Sequence, residues 1–166
     1  MTDTRFDRGG ELIARDQLLR LRRLVSADGG ETVHLTWKGP TSVDPDGHKA
    51  RRELEYAIHS EQVPPEALLE ELGFWPVFRI ERYVEYFHLG PAELRLEWYP
   101  RMDTLIEVEG TAEAIEQGIR ATGLAREAFT AESLTAFVER FNARNQAPAA
   151  LDTADLGLEA PSWMLR

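Results

Sequence analysis

Two sets of side chains in this sequence have the types and spacing to do chemistry. One is cationic: Arg20, Arg22, Lys38, Arg51 and Arg82. The other is anionic: Glu53 and Glu55, Glu97, and Glu107 and Glu109. On a strand, residues two apart share a face. Arg20 and Arg22 therefore share one, Thr36 and Lys38 share one, and so do Arg51, Glu53 and Glu55. Several cations on one face suit a polyphosphate, because each phosphoryl group needs its own donors; Arg offers planar bidentate donation and Lys a point charge. Carboxylates in such a site repel the ligand unless a divalent ion lies between them. Hard oxygen ligands suit Mg2+ or Mn2+. The competing reading is that these are solvated charges on half-exposed strands, which alternate in the same way.

Composition narrows the partners. The chain has 166 residues and a net charge of −10. A length of this size fits one domain with a real core. The negative balance argues against broad nucleic-acid binding, which rests on a positive surface, but leaves room for a small anion in a local basic cluster. There is no Cys, hence no disulfide framework and no thiolate metal site. That fits a reducing cytoplasm, and we expect a cytoplasmic protein. No apolar run is long enough for a membrane span. His34, His48, His59 and His88 lack metal-site spacing. No phosphate-binding GxxxxGK[ST] loop and no GxSxG nucleophile elbow occurs.

The elements that must position these residues can be read from periodicity. Thr4 to Asp7 is a short strand. Leu18 to Ser26 is a second, and Asp28-Gly29-Gly30 turns it into a third, Thr32 to Lys38. Gly39 to Gly47 is rich in turn residues and reads as a loop. Lys49 to His59 alternates as a strand. Pro64 and Pro65 open a helix to about Leu72, which Gly73 ends. Pro76 to His88 reads as one long strand of aromatic and β-branched residues. Glu93 to Tyr99 and Thr104 to Glu109 follow as strands. Thr111 caps a helix to about Thr122, and Thr130 caps another with Leu134, Phe137, Val138 and Phe141 on one stripe. The spacing thus predicts an α+β fold of roughly seven mostly antiparallel strands and three helices. We expect residues 1–145 to be a single domain and 146–166 a C-terminal tail packed on its surface.

Taken in order, these pieces resemble the CYTH family, the triphosphate tunnel metalloenzymes. Thr4-Arg5-Phe6-Asp7 resembles the family's Tyr-Phe-Asp-Thr strand, and Leu19-Arg20-Leu21-Arg22 its Leu-Arg-Ile-Arg. Leu35 to Pro40 resembles Leu-Thr-x-Lys-Gly-Pro, and Arg51 to Glu55 resembles Arg-x-Glu-x-Glu. Leu96-Glu97 stands where the family has Leu-Asp, and Leu105 to Gly110 resembles Phe-x-Glu-Ile-Glu-Gly. The resemblance implies an antiparallel β-barrel with flanking helices, whose tunnel holds a triphosphate. Arg20, Arg22, Lys38, Arg51 and Arg82 would grip phosphates. Glu53, Glu55, Glu97, Glu107 and Glu109 would hold Mg2+ or Mn2+, with Glu107, Glu109 and Lys38 as the catalytic groups.

Two departures accompany the match. The family opens with a Glu-x-Glu-x-Lys strand, and no such motif stands near Met1. A member without that strand has a barrel open at one edge, and an open edge invites pairing with a second copy; a homodimer is the resulting expectation. In the second departure, Arg82 stands for the family's Lys and Tyr86 for its aromatic residue, but Val84 occupies the Arg position.

Three functions remain open at this point. The first is a metal-dependent phosphohydrolase acting on tripolyphosphate, thiamine triphosphate or a nucleoside triphosphate. The second is a class IV-type adenylyl cyclase, and the third a non-catalytic polyphosphate- or nucleotide-binding module. In each of these the partner is a small triphosphate, with no nucleic acid and no membrane; beside them stands a structural or partner-binding α+β domain whose charges are only solvated.

Overall fold

The computed structural model describes residues 1–45, 48–59 and 63–164. Its strands are β1 (Thr2–Asp7), β2 (Leu18–Val25), β3 (Glu31–Val43), β4 (Lys49–Ile58), β5 (Trp75–Glu81), β6 (Tyr83–Leu89), β7 (Ala92–Trp98) and β8 (Leu105–Glu109). The helices are α1 (Pro65–Glu71), α2 (Ala112–Thr122) and α3 (Leu134–Arg144). The α+β class expected from the sequence holds. The ladders form two antiparallel sheets, one of order β4-β3-β2-β1-β5 and one of order β6-β7-β8. No closed barrel forms through these ladders among the described residues.

The chain divides into two compact units. The first comprises Met1–Ser42 and Ala50–Glu81 and contains the five-stranded sheet. Its core follows from alternation. Thr4, Leu21 and Leu35 stand opposite one another across β1, β2 and β3, as do Phe6, Leu19 and Trp37. Phe6, Leu21 and Leu69 of α1 are buried together, with Leu19, Val33, Leu35, Ile58 and Phe74 packed against them. Asp3, Arg20, Arg22, Thr36 and Lys38 occupy the alternate positions and turn to the other face.

The second unit comprises Val43–Lys49 and Arg82–Arg166 and contains the three-stranded sheet. Here Ala92, Leu94, Leu96 and Trp98 alternate with Glu93, Arg95 and Glu97 along β7. Helix α2 covers the apolar side and comes so close that a Cβ on Gly118 would lie 2.7 Å from Val108 Cγ1. The Thr111 hydroxyl accepts from the Ala114 N–H, as its N-cap role requires. Residues after 146 also enter this unit's core. Ala150 pairs with Arg101, and Ala150, Leu151 and Leu156 are buried.

Several expectations need correction. The single strand over Pro76–His88 is two, β5 pairing with β1 and β6 with β7, and they part at Arg82. Strand periodicity continues through Arg82, so only the choice of partner reveals the break. Among the described residues there are eight strands rather than the roughly seven expected. The loop expected from Gly39 to Gly47 is strand as far as Val43; Asp46 and Gly47 lie outside the described residues. Pro40 is tolerated because the β2 pairing stops at Lys38, so its missing N–H removes no bond to β2. Thr130 does not cap α3. Its hydroxyl accepts from Glu132 N, and Ser133 is the N-cap.

Candidate functional site

On the polar face of the five-stranded sheet, charges are paired side chain by side chain. The register sets Arg22 between Asp3 and His34, and Arg20 between Arg5 and Thr36. Asp3, Arg20, Arg22 and Thr36 are all buried. Arg22 donates two hydrogen bonds to the Asp3 carboxylate, at 2.7 and 2.8 Å. Arg20 reaches the same carboxylate at 3.5 Å and donates to the Thr36 hydroxyl at 3.2 Å. That hydroxyl donates to Glu55 at 2.7 Å, and Glu55 also lies 3.5 Å from Arg20 and 3.4 Å from His34. Lys38 pairs with Glu53 at 2.7 Å. Burial pushes the Glu55 carboxyl up, but the Thr36 bond and the charges of Arg20, His34 and Arg22 outweigh it and hold it below its ordinary value.

This row therefore brings together Arg20, Arg22, Lys38, Glu53 and Glu55 of the residues singled out in the sequence. Arg51 does other work: its Nε donates to Gly39 O at 2.8 Å and its terminal nitrogen to Asp16 O at 3.1 Å. Those bonds secure the backbone where β3 outruns β2. Asp3 was missed in the sequence. The signal was there, since Asp3 and Arg5 share a strand face, but only the β1–β2 register reveals that Asp3 is the anion seated between two arginines.

The remaining residues lie on the second unit's sheet. Arg82 donates to Glu97 Oε2 at 2.8 Å, and the Tyr99 hydroxyl donates to the same oxygen at 2.6 Å. Burial, reinforced by the Glu97 charge, pushes the Tyr99 phenol well above its ordinary value, so it stays a donor. The other oxygen of Glu97, Oε1, is buried with no hydrogen-bond partner among the described residues. Glu107 and Glu109 both turn to Arg95, Glu107 at 3.2 Å and Glu109 closer still. Burial opposes the charge on Arg95, but Glu107, Glu109, Glu97 and Glu93 outweigh it and raise its pKa. Arg95, buried and central to this cluster, was not singled out in the sequence, though Glu93-x-Arg95-x-Glu97 marks it as sharing their face. Val84 pairs with Glu97 and Tyr86 with Arg95.

Among the described residues, no three His, Asp or Glu side chains are grouped to hold a metal ion. The donor chemistry nonetheless fits Mg2+ or Mn2+. Glu53 with Glu55, and Glu107 with Glu109, are pairs of half-exposed carboxylates on one strand face. Mg2+ is commonly held by one or two carboxylates, completed by water and phosphate oxygens. The orphaned Oε1 of Glu97 is a further unsatisfied oxygen donor.

A third cluster escaped the sequence reading. His48 lies 3.1 Å from both Asp44 and Glu116, and Arg126 donates to the same Glu116 oxygen at 2.9 Å. His48, Ala112, Glu113, Glu116 and Arg126 line an open cavity of about 460 Å3. The two carboxylates hold the His48 pKa above its ordinary value.

No family model matches the chain, and no curated protein sequence matches it. Its fold is similar to that of solved structures. The PH1819 protein from Pyrococcus horikoshii OT3 aligns over 81% of this chain and 80% of its own, with a TM-score of 0.67 and 24% identity. The PH1012 protein from the same organism covers 82% and 80%, with a TM-score of 0.61 and 19% identity. The conserved hypothetical protein Pfu-838710-001 from Pyrococcus furiosus covers 82% and 81%, with a TM-score of 0.60 and 18% identity. At these identities the likeness is one of fold. No helix of the described residues is long and apolar enough to cross a membrane.

Proposed function

We propose that this chain binds a small triphosphate and hydrolyses it with the help of Mg2+ or Mn2+, in the manner of the triphosphate tunnel metalloenzymes it resembles. The supporting observation is the ordered cationic row of Arg20, Arg22 and Lys38, fixed on one sheet face before any ligand arrives. Charges already locked in place lose little freedom on binding, which is what recognition of a multiply charged anion needs.

Each cation has a distinct part. Arg20 and Lys38 exchange Glu55 and Glu53 for phosphate oxygens, trading one charge-assisted bond for another. Asp3 stays buried and keeps Arg22 in a fixed orientation. The carboxylates given up, Glu53 and Glu55, become available to a divalent ion. Such an ion, when bound, supplies a Lewis acid that withdraws charge from the phosphoryl oxygens. Hydrolysis forms a bond from water oxygen to the terminal phosphorus and breaks the bond to the bridging oxygen, whose electron pair leaves with the diphosphate. A carboxylate freed from its cation accepts the water's proton. The family resemblance also gives roles to Arg82, Glu97, Glu107 and Glu109, on the second unit, and their variants test that assignment separately.

A second reading keeps the binding and drops the turnover. The lack of a three-ligand metal group among the described residues favours it, since a binding module needs only the cationic row.

The experiment is phosphate and pyrophosphate release from tripolyphosphate, thiamine triphosphate and ATP, with Mg2+ or Mn2+ and with chelator, beside direct triphosphate binding. The expected result is chelator-sensitive phosphate release, lost in Glu107→Gln. In Lys38→Ala, triphosphate binding should weaken about tenfold or more, the worth of one charge-assisted bond. Pyrophosphate with cyclic AMP would identify a cyclase. Binding without turnover would leave the module, and wild-type binding in Lys38→Ala would sink the phosphate-grip reading.

A further inference from the structure

We infer that Arg95 is a built-in competitor for divalent metal: its guanidinium occupies the Glu107–Glu109 pair, and an ion can enter only by displacing it. This rests on the metal role given to that pair in the proposed function. Arg95 is only 6% exposed, whereas the side chains of Glu107 and Glu109 are 48% and 50% exposed. Water and ions can therefore reach the carboxylates from outside, while the arginine holds them from within.

The contacts favour charge over a full set of hydrogen bonds. One terminal nitrogen of Arg95 touches both carboxylates. Its Nε has no hydrogen-bond partner among the described residues and lies 3.6 Å from Glu93. A guanidinium held this way is a fixed counter-charge. A divalent ion seated on the same oxygens would stand a few ångströms from it, and like charges that close repel. The two occupants are therefore mutually exclusive. Two positions along the same strand face from Arg95 is Glu97, whose buried Oε1 also lacks a hydrogen-bond partner among the described residues.

The test is Mn2+ titration of the full chain, followed by electron paramagnetic resonance, in wild type, Arg95→Gln and Arg95→Gln/Glu107→Gln. Mn2+ should bind Arg95→Gln about tenfold or more tighter than wild type, the scale on which neighbouring groups tune metal sites. Adding Glu107→Gln should return the affinity to the wild-type level. Equal or weaker binding in Arg95→Gln, or tightening that survives the loss of Glu107, would overturn the inference. If Arg95→Gln does not fold, Arg95→Met removes the charge while keeping a long side chain that fills the buried site; tightening there supports the competitor role, and no tightening refutes it. Metal-free triphosphate binding, run in parallel, separates the two ideas. Its independence of Lys38 with the Mn2+ result intact defeats the phosphate grip alone, and the reverse pattern defeats the competitor alone.

Discussion

The two sheets solve the same problem in opposite ways. Each buries an apolar face under a helix and leaves a charged face on the other side. On the five-stranded sheet that face is balanced: Asp3 sits between Arg20 and Arg22, Glu55 answers Arg20 through Thr36, and Glu53 answers Lys38. On the three-stranded sheet carboxylates are in excess, since Glu93, Glu107 and Glu109 all crowd onto Arg95. In the proposed function, the balanced row trades its anions for a phosphate. In the inference drawn above, the anionic cluster around Arg95 is the one that would attract a metal. The difference lies in the partners that each register supplies, because the residue types are the same.

The largest effect should come from the buried pair at the centre of the balanced row. Asp3→Ala leaves Arg22 and Arg20 with charge and no anion between them, so the chain should lose about 3–5 kcal/mol of stability in urea unfolding. Arg95→Gln should cost less in the same assay, because its two main partners are half exposed and water screens the carboxylates left behind. Equal losses would mean that the two faces do not differ in the way described.

The apolar faces differ as well, and the second expected effect tests that contrast. Helix α2 fits its sheet through Gly118, whereas α1 is short and lacks a side-chain cap. Gly118→Val should destabilise by about 1–3 kcal/mol through overpacking against Val108, read from the thermal midpoint. An unchanged midpoint would show that the α2 contact yields easily.

The smallest effect concerns His48, which follows β3 and precedes β4 in the chain yet belongs to the second unit. Its pKa is raised by Glu116 first and then by Asp44. A raised folded pKa gives stability that is fully present below the ordinary histidine value and is lost as pH rises through the folded value. Glu116, lowered by the same bond, gives stability that is lost as pH falls through its own folded value. The midpoint difference between wild type and His48→Gln should therefore peak in mildly acidic solution and vanish at alkaline pH. A difference constant with pH would mean that the imidazolium contributes nothing through its charge.

Much of this was legible in the residues, and the misses share one cause. Alternation is local, so it shows that Arg20 and Arg22 share a face, and so do Glu107 and Glu109. It is silent about which strand lies alongside. Asp3 became part of the site only through the β1–β2 register, and Arg95 only because β8 sets Glu107 opposite it. The break at Arg82 was invisible for the same reason, since both halves of Pro76–His88 have strand chemistry. His48 and Glu116 are far apart in the chain, and nothing in either neighbourhood points to the other.

The sequence by itself determined the α+β class, the strand faces, and the helix starts at Pro65 and Thr111. These depend on side-chain periodicity, backbone restriction and caps within a few residues of each other. The tertiary structure alone decided that the strands divide into two sheets, that Arg51 serves backbone carbonyls, and that each charge received its particular partner. Those outcomes depend on pairing across long chain separations, where the energy of a charge is set by whatever group the register brings beside it.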